Sequence, residues 1–195
     1  MLLRAMKMLA KWTAIIGGIT LVVLVVLTCI SVIGRGASTL GHSDFLTGLA
    51  PGLAQSIVNT GVGPVTGDFE LLEAGVAFAV FAFLPLCQLH SGHATVDVFT
   101  SLMPEKFNRF LIAFWEVLLA ILIVVISWRL FVGMEDKMRY GETTFLLQFP
   151  IWWSYLASFL ASVVAAIVAV YCAYARVMTA LTGKSYMPAS EGALH

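Results

Sequence analysis

Read for polarity alone, the chain is a series of long apolar runs separated by short polar stretches. Four of these runs stand out: Trp12 to Ile33, Leu71 to Leu89, Phe110 to Gly133 and Ile151 to Tyr174. At a rise of about 1.5 Å per residue, each matches the roughly 30 Å hydrocarbon core of a bilayer. The pattern predicts an all-α membrane protein: four transmembrane helices in a single integral membrane domain over residues 1–195. Arg4, Lys7 and Lys11 precede the first run, as basic residues precede a secretory signal. Its apolar core is longer than a signal core and no convincing small-x-small cleavage site follows, so the sequence predicts a retained anchor.

The polar stretches are unequal in length. Between the first two runs lies a long, glycine-rich outer segment, 34–69, in which Leu46, Leu49, Leu53 and Ile57 recur at helical spacing. That spacing predicts a short helix lying on the membrane face, ended by Gly61, with Gly-Val-Gly-Pro returning the chain to Glu70. Pro51 speaks against this helix, and an irregular loop packed on the spans is the alternative.

Composition supports the membrane reading. Of 195 residues, 60% are apolar and only 11% are charged, with a mean hydropathy of +0.95, whereas a soluble domain needs about a quarter charged residues to cover its surface. A formal net charge of zero excludes nucleic acid as a partner class. Seven of the eleven basic residues, Arg4, Lys7, Lys11, Lys106, Arg109, Arg176 and Lys184, fall on one side of the four-span topology. The bias of basic loops toward the cytoplasm then predicts that both termini are cytoplasmic. Trp12, Trp115, Trp128, Trp152 and Trp153 fall near the span ends, where amphipathic rings favour the headgroup layer.

Candidate chemistry is sparse. Glu73 and Arg129 each lie about one turn below the outer end of their spans, which predicts an ion pair between the second and third spans, with Arg35 a competing partner for Glu73. Glu116 is some 20 Å along the axis from Arg129, too far to pair with it. It is protonated, paired with another helix, or open to an aqueous seam. His90, His93 and Asp97 form the stretch HSGHATVD just past the second span, in the headgroup layer, where they end that helix and fix a turn along the inner surface. The other histidines, His42 and His195, are too distant to complete a metal shell, and no histidine lies inside a span to ligate haem. Cys29, Cys87 and Cys172 lack any metal-binding spacing and are expected to be unpaired core residues. The sequence therefore predicts no cofactor, no metal site and no catalytic set. Ala157, Ser158, Ala161, Ser162, Ala165 and Ala166 place small residues along the fourth span, a face for close helix approach, within the chain or by a partner.

Taken together, these residues resemble the small membrane subunit of tripartite ATP-independent periplasmic transporters, the DctQ-like proteins. The resemblance covers most of the chain. It rests on Glu70 and Glu73 opening the second span, Gly92 with His93, Val96 with Asp97, and Met103 with Pro104 after it. Arg35 resembles the family's basic residue closing the first span, and GETTFLLQFPIWWSYL resembles the segment before the fourth. Methionine at 103 replaces the usual leucine, and the long stretch 40–66 departs from relatives with a short loop.

The resemblance implies a non-enzymatic scaffold subunit in the inner membrane of a bacterium. A separate large membrane subunit would carry solute and sodium, a periplasmic binding protein would deliver an organic solute, and the stretch 40–66 would be placed to touch that protein. Arg35, Glu70, Glu73, His93, Asp97, Glu116 and Arg129 are then candidate structural or interface residues. The chain itself lacks an internal repeat, a broken helix pair and a midplane polar cluster, which a transporter's own solute site requires. The alternative is a membrane anchor of a quinone- or haem-linked oxidoreductase.

Overall fold

The computed structural model describes residues 2–43, 48–59, 61–90 and 105–182. Five helices are named within them: α1 (Leu2–Gly41), α2 (Pro51–Asn59), α3 (Asp68–Leu89), α4 (Glu105–Tyr140) and α5 (Trp152–Thr182). Four of these, all but α2, are long and apolar enough to cross a membrane.

The helices outrun the apolar segments that predicted them. α1 runs for 40 residues, about 60 Å, so its last turns continue into what the sequence assigned to the outer segment 34–69. Hydropathy marks where lipid ends; the backbone ladder continues as long as each N–H finds its carbonyl, and in water-exposed turns that needs no apolar side chain. The short α2 is present, and Pro51, which had argued against it, is its first residue. There the absent N–H is not missed and the fixed φ suits a helix start.

Packing arranges the long helices in a row. α5 lies between α4 and α3, and α3 lies between α5 and α1; α1 also touches α2 and, more lightly, α5. α4 has no comparable packing on α1 or α3, so consecutive helices α3 and α4 are not neighbours. The cause is the composition of α5. Ser158, Ala161, Ser162, Ala165, Val168, Ala169, Cys172, Ala173 and Ala175 are all buried, and small residues occur on both of its flanks, so a helix can approach closely on each side. Against one flank sit Ala120 and Ile123 of α4; Ser127 donates its hydroxyl to the Ser162 carbonyl at 3.1 Å, and Phe131 meets Phe159 at 5.4 Å between ring centres. Toward the other, Leu89 of α3 and Ala10 of α1 share a cluster with Val168, Cys172 and Ala175.

The flanking helix α1 buries only a seam. Ala10, Ala14, Gly17, Leu24, Ser31, Gly34 and Gly41 are separated by three, four or seven residues, the a/d spacing of helices that wind around one another. Every other face of α1 shows large apolar residues, among them Ile16, Ile19, Val22, Val23 and Ile33, and α4 does the same with Phe110, Ile121, Leu122 and Val125. In water such surface would aggregate; in a bilayer it is the solvated face. Trp12, Trp115, Trp128 and Trp153 are exposed, so they face the surroundings rather than the interior.

Near its carboxyl end α1 meets backbone directly: a methyl group at Gly34 would run into the Gly63 carbonyl, whereas at Gly36 it would meet nothing within 4 Å. Gly34→Ala should therefore lower thermal stability in detergent by about 1–3 kcal/mol, the usual cost of overpacking. Gly36→Ala should leave stability unchanged or raise it by up to about 1 kcal/mol through helix propensity.

Candidate functional site

Both interhelical loops described in full or in part, 42–67 and 141–151, lie at the end of the row where α1 finishes and α3 begins. Most of the polar chemistry collects at this loop-rich end. α3 starts at Asp68, directly after Gly67, whose φ of 77° is open to glycine but costly for other residues. Asp68 receives a short hydrogen bond from the buried Ser31 hydroxyl, 2.5 Å to Oδ2, and lies 3.7 Å from the Arg35 guanidinium. Arg35 also stands over the Phe69 ring, 5.6 Å from its centre, within cation–π range. Ser31 accepts from the Val65 N–H at 3.2 Å, so one hydroxyl joins α1 to both the loop and α3.

Two residues on, Glu70 faces the other loop. Its two carboxylate oxygens accept the N–H groups of Leu146 and Leu147, at 2.6 and 3.0 Å. The loop closes on itself through hydrogen bonds from Thr144 N–H to the Phe149 carbonyl and from Ile151 N–H to the Glu142 carbonyl, and Glu142 pairs with Lys137 at the end of α4. Glu70 therefore ties the start of α3 to the link between α4 and α5, two pieces of chain more than seventy residues apart. Leu147 packs against Gly67, where any side chain would collide with it.

Glu73 is exposed and lines, with Glu70, Thr144, Ser154, Tyr155 and Phe81, a cavity of about 320 Å³ at the loop-rich end, bordered by α3, α5 and the link before α5. The expected ion pair with Arg129 is not formed: the ion pairs between described residues are Arg35–Asp68 and Lys137–Glu142. Arg129 is exposed on α4, and α5 separates the two helices. Arg35 has its acid partner in Asp68, not Glu73.

At the opposite, terminal end, Glu116 accepts a long hydrogen bond from the Gln88 side-chain amide, 3.4 Å, joining α4 to α3. Gln88 is 1% exposed, and its Oε1 has no hydrogen-bond partner. His90 stands at the C-cap of α3; its backbone N–H donates to the Leu86 carbonyl, and its ring nitrogen is 3.1 Å from the same oxygen. Ending the second span is thus a role of His90, while His93 and Asp97 lie outside the described residues. Among the described residues no three His, Cys, Asp or Glu side chains gather as a metal-binding group. No disulfide joins the cysteines; Cys172 is buried and Cys87 half-buried, but Cys29 is exposed on α1 rather than in the core.

Sequence reasoning missed Ser31, Asp68 and Gln88. Asp68 carried a signal, an acid at a helix start, where the unpaired N–H groups favour negative charge. Ser31 lies one turn before Arg35 on the same face of α1, a spacing that could have placed both on one acid. The small-residue face of α5, open to contact within the chain or with a partner, is used largely within the chain: Ser158, Ala161, Ser162 and Ala165 are buried.

Two substitutions separate these clamps. Ser31→Ala leaves a carboxylate oxygen and the Val65 N–H without their shared partner, and should cost about 1–3 kcal/mol in thermal unfolding. Its effect should be coupled to that of Asp68→Ala in a double-mutant cycle, since both remove one bond. Glu70→Ala should leave the helices intact but release the loop, seen as faster amide hydrogen exchange at Leu146 and Leu147, with Glu70→Gln intermediate.

Residues 24–179 match the family described as tripartite ATP-independent periplasmic transporters, DctQ component. No curated protein and no solved structure matches the chain. The matched span starts within α1 and ends near the close of α5, so it takes in Arg35, the Asp68 and Glu70 clamps and the Gln88–Glu116 link. The chain belongs to the DctQ family and is a small membrane subunit of a tripartite ATP-independent periplasmic transporter.

Proposed function

We propose that this chain is the scaffold that holds a large transport subunit in place while part of that subunit carries an organic solute, with sodium, across the inner membrane of a bacterium. In this reading both termini are cytoplasmic, so the loop-rich end is periplasmic, where a solute-binding protein docks to the assembled complex. Residues 1–195 act as one integral membrane domain. The observation that carries the reading is the family match together with the build of the loop-rich end. There Ser31, Asp68 and Glu70 tie α1, α3 and the α4–α5 link into one unit. A body that braces a moving partner must not deform under the same load. Cross-ties between segments remote in sequence supply that stiffness.

Arg35, Glu73 and Arg129 are exposed polar groups on the long helices, and as interface candidates they are where a partner's polar groups would meet this chain. Because α5 spends its small faces inside the row, the partner contact falls to the broad apolar sides of α1 and α4. The stretch 40–66, whose described part carries α2 packed on α1, is placed at the end proposed to meet the binding protein. Glu116 is engaged with Gln88, which fits a structural carboxylate rather than a solute ligand.

The test is uptake in proteoliposomes under an inward sodium gradient, with the large subunit, the binding protein and this chain present in all combinations. Uptake should require all three and fall to the level of empty vesicles when this chain is left out. Full uptake without it, or uptake by this chain alone, would reject the scaffold role.

A further inference from the structure

The first turns of α1 carry charge in a pattern that helix packing does not explain. α1 is unbroken from Leu2, and its apolar core begins at Trp12, so residues 2–11 continue the helix past the hydrocarbon boundary by about 15 Å. Arg4, Lys7 and Lys11 recur at intervals of three and four residues, which at about 100° per residue confines them to an arc of roughly 60°. All three are exposed, and none makes a hydrogen bond or ion pair with another described residue.

Position around the helix adds to the pattern. On one side of the basic stripe is the buried seam of Ala10 and Ala14, through which α1 is held in the row; on the other are the exposed apolar side chains of Met8, Leu9 and Trp12. The stripe is therefore fixed at a constant angle to the bundle and bordered by exposed apolar side chains. Arg4 and Lys11 are about 10 Å apart along the axis, and a polar headgroup layer is roughly 5–7 Å deep. Flexible side chains that extend back or forward along the helix bring all three cations to the phosphate level. Arg109 and Arg176 lie at the same end, and Glu116 there is bonded to Gln88.

We infer that Arg4, Lys7 and Lys11 form a binding site for anionic phospholipid headgroups in the leaflet at the terminal end of the protein. The ligand chemistry is a lipid phosphate with no compensating amine, as in phosphatidylglycerol. Such a site would fix the depth and tilt of α1, and through the α1–α3 packing the depth of the whole row. The inference rests on charge and geometry alone and does not depend on the transport reading.

The test uses the full-length chain in mild detergent with an excess of an equal mixture of phosphatidylglycerol and phosphatidylcholine, and reads the ratio of the two lipids retained by native mass spectrometry. The wild type should be enriched in phosphatidylglycerol, and each single change, Arg4→Gln, Lys7→Gln or Lys11→Gln, should reduce the enrichment roughly five-fold, with all three together giving about a hundred-fold. Arg4→Lys with Lys7→Arg and Lys11→Arg should keep it. If the triple neutral variant fails to insert, the three single variants still give the graded readout. Retention of the two lipids in equal amounts by the wild type, or unchanged enrichment in the neutral variants, would overturn the site. So would loss of a co-purifying protein on neutralisation with the lipid ratio unaltered, which would assign the stripe to a protein partner.

Discussion

Close approach of helices on both flanks of α5 is the constraint on which this structure depends. In lipid there is no hydrophobic drive to bring helices together, so van der Waals contact and a few polar bonds must do so, and both fall away quickly with distance. α5 meets this requirement with alanine, serine and cysteine among its buried residues, and α4 and α3 both settle against it. The small residues also let polar groups cross the gap: the Ser127 hydroxyl of α4 donates to the backbone carbonyl of Ser162. Replace these residues with leucines and the row has no centre.

A row held at its middle is free to splay at its ends, and the polar residues are found at the ends. Ser31 and Asp68 join α1 to α3, Glu70 joins α3 to the loop before α5, and Gln88 with Glu116 joins α3 to α4 at the far end. The ties at the loop-rich end use charged groups at membrane boundaries, where one side remains near water and the desolvation cost is small. The Gln88 tie pairs a buried neutral amide with the carboxyl of the half-buried Glu116.

The same arrangement separates the chain's two kinds of surface. The apolar sides of α1 and α4 belong to lipid or to another membrane subunit, while the loop-rich end presents hydrogen-bonded backbone and carboxylates. The cavity beside Glu73 lies at the loop-rich end, whereas α3 and α4 come within hydrogen-bond reach at the far end, through Gln88 and Glu116.

The number of long helices, their apolar segments and even the short α2 were legible along the chain, because these are local properties. A backbone in lipid must satisfy its own hydrogen bonds, so a run of apolar residues of sufficient length has one stable form whatever its neighbours are. Helix order in space is not local. Glu73 and Arg129 sit at matching depths in consecutive spans and yet do not pair, since adjacency was decided by which side chains allow helices to approach, and α5 took the place between them. For the same reason Arg35 found Asp68, a partner set by how the chain returns through Gly63 and Gly67 to begin α3, and Glu70 found two amides in a loop more than seventy residues away. The residue types announced that charge at the membrane edge needed partners; which partners were within reach depended on interhelical contact, a property of the packed row and of no segment within it.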